Sequence, residues 1–150
     1  MRIILTEEKI FSAKDAIEII FPNKKTQAAA HLFIQFLKDH DGKATKNAVS
    51  DFADKLQSGT LIHNNIPFKY SRRNFYVTLM RTLVSLGFIQ RNVPVWDDGG
   101  KKTNYVYVRN IFDIPRKPPS VGFWRLAYYI CRKWNLLFEN SDKDELNIES

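Results

Sequence analysis

Between Val93 and Val108 the chain reads VPVWDDGGKKTNYVYV, gathering two carboxylates, two glycines, two lysines and a threonine into one short stretch. A phosphate-cradling loop would need G-x-x-x-x-G-K-[ST], so that backbone amides wrap the phosphates and the hydroxyl holds magnesium. Here Gly100-Lys101 is followed by Lys102, and Val95 stands where the first glycine belongs. A metal-dependent nuclease would surround its ion with carboxylates and a lysine. Asp97, Asp98 and Lys101 have those types, but they crowd one tight turn with no third carboxylate beside them. What remains is a hairpin tip, with alternating strands on both sides and Gly99-Gly100 supplying φ > 0. Lys101 and Lys102 would then be anion-clamping residues. Asp97 and Asp98 would repel phosphate, so either they point away or the tip meets a protein.

Other chemistry finds less support. His31, His40 and His63 share no metal-ligand spacing, and no G-x-S-x-G nucleophile elbow is present. The single cysteine, Cys131, excludes an internal disulfide and a cysteine-built zinc cluster, and it falls inside the aromatic stripe of a helix. The chain is therefore expected not to be an enzyme and to need no cofactor and no metal.

The 150 residues are enough for one domain with an appended element, and 44% apolar content argues against disorder. No apolar run approaches the ~20 residues of a membrane span, and the N-terminal Ile3-Ile4-Leu5 is too short for a signal peptide. A soluble, cytoplasmic protein without a membrane partner is the expectation. Net charge is unevenly spread: residues 1–40 carry +1, residues 41–120 carry +7 and residues 121–150 carry −1. An excess confined to the middle of the chain is either a solvated basic face or, since it is localised, the mark of a polyanionic partner.

The elements that must position these charges are readable from caps and periodicity. Ser12 is expected to cap a short helix over 13–21, ended by Pro22. Thr26 would open a second helix with Ala29, Leu32, Phe33, Phe36 and Leu37 on one stripe, stopped by Gly42. Thr45 caps a third, carrying Ala48, Val49, Phe52, Ala53 and Leu56, and TLIHNNIPFKY follows as a loop or small hairpin. Ser71 starts RRNFYVTLMRTLVSLG. At ~100° per residue, Asn74, Thr78, Arg81 and Ser85 share a polar sector there, opposite Phe75, Tyr76, Leu79, Met80, Leu83 and Leu86. Strands FIQRNVPVW and NYVYVRNI flank the hairpin tip. After a stiff Ile114–Pro119 connector, Ser120 would cap a final helix to about Asn140, with an acidic tail over 141–150.

Leu83 to Asn92, LVSLGFIQRN, running into the hairpin, resembles the winged helix-turn-helix superfamily, over roughly Thr26 to Asn110. The resemblance implies a mostly helical α+β fold: a three-helix core plus a two-stranded β-wing, with additional N-terminal and C-terminal helices. Its organisation would be an extension over 1–25, a winged-helix domain over 26–112, a proline linker and helix over 113–140, and a tail over 141–150. It also implies a double-stranded DNA binder, a transcriptional regulator, with helix 71–87 in the major groove and wing 89–108 on the backbone. The chain departs from the family in the dozen residues from Gly59 to Tyr70, where a turn of ~3–4 residues is usual. The alternative is a winged-helix protein-interaction module serving as an assembly part of a larger complex.

Sorting the polar residues by role gives Asn74, Thr78 and Arg81 as base contacts. Lys43, Lys46, Arg72, Arg73, Arg91, Lys101, Lys102 and Arg109 are the expected phosphate contacts. On the final helix Phe123, Trp124, Ala127, Ile130, Trp134 and Leu137 recur at heptad-like spacing. Either they form a homodimer seam or they pack against the chain's own N-terminal helix.

Overall fold

The computed structural model describes residues 6–92 and 105–139. The hairpin tip with Lys101 and Lys102, and the acidic tail, lie outside the described residues. The fold is α+β and mostly helical with a small antiparallel sheet, and it divides into two compact units.

Phe21–Asn110 forms the first unit. Its opening helix α3, Lys24–Asp39, begins earlier than Thr26. Asn23 is the cap, its side-chain oxygen accepting from the amides of Lys25 and Thr26 at 2.8 and 3.2 Å. Thr26 is buried inside the first turn instead, sharing a 3.1 Å hydrogen bond with the Tyr70 hydroxyl. At the other end Asp41 adopts φ 56°, and the amides of Gly42 and Asp41 donate back to Leu37 and Lys38. This is a Schellman closure. Gly42 itself sits at φ 80°, and glycine is required there for a second reason. The Arg109 side chain lies directly over it, and any Cβ there would collide with the Arg109 stem.

Straight after this turn, Lys43–Thr45 forms β1, which periodicity did not reveal because three residues are too few to display alternation. Its partner is β5, Val106–Arg109, in the antiparallel register Lys43↔Val108, Ala44↔Tyr107 and Thr45↔Val106. β5 also pairs with β4, Ile89–Asn92, so the sheet order is β1-β5-β4. Thr45 ends the strand and caps α4, Lys46–Ser58, accepting from the Ala48 amide at 3.2 Å. The segment after α4 is a hairpin, β2 Leu61–His63 and β3 Ile66–Phe68, turned by Asn64 and Asn65 at φ 52° and 65°. Two successive positive-φ residues make the turn that matches strand twist.

The third long helix is composite. It runs as α5 (Arg72–Asn74), a π-helical segment (Phe75–Met80) and α6 (Arg81–Ser85). Ser71 caps it, accepting from the Asn74 amide at 3.0 Å. Phe33, Phe52 and Phe75, one from each long helix, pack ring against ring with centroids 5.2–5.5 Å apart. That cluster is the centre of the unit's core, with Leu37, Leu56, Leu79 and Leu83 buried around it. Leu86, expected on the buried side, is exposed, because the helix has ended before it and Gly87 at φ 86° turns the chain.

Among the described residues, the second unit comprises 6–20 and 111–139. The expected helix over 13–21 is two short helices, α1 (Glu7–Ser12) and α2 (Ala16–Ile20). Ser12 closes the first rather than opening the second: its hydroxyl donates back to the Lys9 carbonyl, while Asp15 accepts from the Glu18 amide in α2 and the Glu18 carboxylate accepts from the Lys14 amide just before it. α7, Phe123–Leu137, is capped by Gly122 at φ 84° and not by Ser120. It packs on α1 and α2. Phe11 meets Tyr129 edge-on at 4.8 Å, and Arg125 covers both rings while pairing with Glu7. Asn135 grips Phe112, accepting from its amide at 3.0 Å and donating to its carbonyl at 2.9 Å.

Candidate nucleic-acid interface

Arg73, Asn74, Arg81 and Ser85 are exposed along the composite helix, and Thr78 is half-buried. These positions of the helix, Thr78 only in part, thus meet solvent. The helix's geometry differs from an ideal α-helix, however. The Arg81 amide donates to the Tyr76 carbonyl, five residues back, as well as to Thr78. At ~100° per residue Tyr76 and Arg81 would lie about 140° apart. An i→i+5 bond adds a residue to the turn and brings such pairs toward alignment. Tyr76 and Arg81 consequently border the same cavity of about 430 Å³, together with Met80, Arg91, Tyr105 and Tyr107.

The sheet supplies the other wall. Tyr105 and Tyr107 are two apart along the same chain segment, the spacing that turns side chains to one face. Their rings meet edge-on at 5.4 Å. Both Lys46 Nζ and the Arg91 guanidinium stand 5.5 Å from the Tyr105 ring centre, and the Lys46 amide donates to the Tyr105 carbonyl. Burial pushes the Tyr107 phenol well above its ordinary value, and a hydrogen bond with Tyr105 adds to the shift. Burial also raises Tyr76, against the opposing pull of the nearby Arg72 charge. The Tyr76 and Tyr107 hydroxyls therefore stay protonated at neutral pH.

The expected phosphate contacts divide by environment. Lys43, Arg73 and Arg91 are exposed, and Lys46 is half-buried beside Tyr105. Arg72 is turned into the unit. Its guanidinium donates to Asp54 at 2.7 Å, to the Ser50 carbonyl at 3.1 Å and to the Ser50 hydroxyl at 3.0 Å, and lies over Tyr76. The amide of Arg72 donates to Gln57, so one amide at the helix start is already satisfied within the unit. Arg109 lies along Gly42, and its amide donates to the Gly42 carbonyl at 2.8 Å.

No protein-family model, curated protein or solved structure matches this chain.

The residues that periodicity missed are Tyr76, Tyr105 and Tyr107. The alternation in NYVYV could have flagged the last two as a shared face, but nothing in the sequence announces the π turn. Among the described residues no group of three His, Cys, Asp or Glu could hold a metal ion, and no helix is long and apolar enough to cross a membrane. Cys131 is half-buried, and burial raises its thiol pKa. On α7 the expected seam is not uniform. Phe123 and Trp124 are exposed, Ala127, Ile130 and Leu137 are half-buried, and Trp134 is fully buried against Phe138.

Proposed function

We propose that Phe21–Asn110 is a winged-helix module that binds double-stranded DNA and serves as a transcriptional regulator. The observation that carries this reading is the sheet order β1-β5-β4, with β1 between the first two long helices and the β4–β5 hairpin directly after the third. In a winged helix that arrangement sets the third helix beside the wing, so that both can meet one duplex. The exposed Arg73, Asn74, Arg81 and Arg91, and the confinement of the net +7 charge to residues 41–120, support a polyanionic partner. Asn74, Thr78 and Arg81 are the base-reading residues of this proposal, and Lys43, Arg73, Arg91, Lys101 and Lys102 its main phosphate contacts. Such a protein works in the cytoplasm on nucleoid DNA, without a cofactor and without a catalytic step.

A salt series of duplex binding tests the proposal. Affinity should fall steeply with salt, and replacing Lys101 and Lys102 by Ala should flatten the log-log slope by ~0.9 for each phosphate left without its lysine. Absence of duplex binding at low salt would sink it.

A second reading, a protein-interaction module, is favoured by one observation: Val121, Phe123 and Trp124 are 78%, 61% and 73% exposed. Aromatic anchors of this kind are common in protein interfaces. Sedimentation of the chain alone separates the homodimer form of this reading from a monomer that awaits another partner.

A further inference from the structure

The cavity between the composite helix and the sheet has two chemically distinct parts. Its floor is apolar and aromatic, with Tyr107 and Met80 buried and Tyr76 and Tyr105 half-buried at the sides. Its rim carries two exposed guanidinium groups, Arg81 and Arg91, and among the described residues no carboxylate lines it. A volume of about 430 Å³ lies within the ~300–1,000 Å³ of small-ligand pockets. A backbone phosphate would satisfy the arginines but leave the aromatic floor empty. A base paired within a duplex cannot reach that floor, because its faces are stacked on its neighbours.

We propose that this cavity takes a single unstacked nucleotide, its base on the tyrosine-lined floor with Arg81 at the base's edge, and its phosphate on Arg91. Proteins that hold unpaired strands combine the same two features, aromatic platforms and cationic tracks. The Tyr76 and Tyr107 hydroxyls, being protonated, add donors to base edges or phosphate oxygens. The inference rests on the DNA reading and sharpens it. The preferred substrate becomes a duplex with an unpaired end, where one nucleotide leaves the stack at little cost.

The test uses the full chain and fluorescein-labelled duplexes that are blunt or carry a short 3′ or 5′ overhang. The first unpaired position is replaced by 2-aminopurine. One overhang should bind about tenfold tighter than the blunt duplex, as expected for one stacked base, and the 2-aminopurine emission should change on binding. Tyr105→Leu should remove the gap, whereas Tyr105→Phe, which keeps the ring, should retain it. Val84 also lines the cavity on its helical wall; should Tyr105→Leu fail to fold, Val84→Phe, which fills it, should reduce the gap to below about twofold. Thymidine monophosphate identifies the source. Saturable binding of the mononucleotide with an affinity matching that of the overhang duplex would make the free nucleotide the ligand, and much weaker binding would make it a strand end. Equal affinity for blunt and overhang duplexes, with unchanged emission and no mononucleotide binding, would overturn the inference and leave duplex binding standing. No binding to any of these DNAs would overturn both.

Discussion

The amide of Arg81 donates to the carbonyl of Tyr76, and this one bond decides what Arg81 can touch. In a regular α-helix the two side chains would face apart. Across the π turn they border one cavity, so Arg81 stands between the solvent-facing helix surface and the tyrosine-lined floor. Single π turns of this kind recur at functional sites.

Arg81→Ala should therefore relax sequence preference more than it weakens nonspecific binding. The expected drop in discrimination is ~1–3 kcal/mol at one base position, the range of a bidentate arginine–guanine pair. Selection from a random duplex pool, run on wild type and variant, reads this directly. An unchanged motif would remove Arg81 from base reading.

Arg72 should behave as a structural residue. An ion pair whose partners are 38% and 65% exposed contributes only ~0.2–1 kcal/mol. The bonds to the Ser50 carbonyl and hydroxyl bring the expected destabilisation in Arg72→Ala to ~1–2 kcal/mol. A denaturant midpoint measures it. The salt slope of DNA binding should barely move, while Arg73→Ala and Arg91→Ala should each lower it by ~0.9.

Gly42→Ala should destabilise more than Gly87→Ala. Both glycines have positive φ, which costs a residue with a Cβ ~1–2 kcal/mol. Around Gly87 the space is open, whereas at Gly42 the new methyl would strike the Arg109 stem. Thermal melts of the two variants compare them, and Arg109→Ala on the Gly42→Ala background should restore part of the difference.

Alkaline pH should weaken the first unit through Tyr107. Its folded pKa lies above the unfolded value near 10.0, mainly because the phenol is buried. The native state therefore retains a proton that the unfolded chain loses. The resulting stability is fully present below pH ~10 and declines as pH rises through the folded pKa. Guanidinium midpoints followed from about pH 8 to about pH 11 should fall less steeply in Tyr107→Phe, which has no phenol to ionise.

Local chemistry made much of the framework legible. Thr45 and Ser71 stand before apolar stripes and cap the helices they were expected to cap. Val49, Phe52, Ala53 and Leu56 are buried together as their spacing requires. Asn64-Asn65 turns a hairpin because its side chains tolerate positive φ. Where two capping residues competed within a few positions, as Asn23 with Thr26 and Asp15 with Ser12, local spacing did not choose between them. Thr26 went to the core because Tyr70, distant in sequence, offers its hydroxyl a partner.

By itself, then, the order of residues determined the helices with strong periodicity, the antiparallel hairpins and the region of positive charge, because each depends on neighbours a few positions apart. Tertiary structure alone decided three things. Lys43–Thr45 became a strand because β5 lies alongside to pair with it. Arg72 turned inward because Asp54 and Ser50 on another helix offer it acceptors. Tyr76 met Tyr105, Tyr107 and Arg81 around one cavity because a helix with an extra residue in its turn faces the sheet there. These contacts join residues far apart in the chain or depend on a departure from regular helix geometry, and neither leaves a periodic trace.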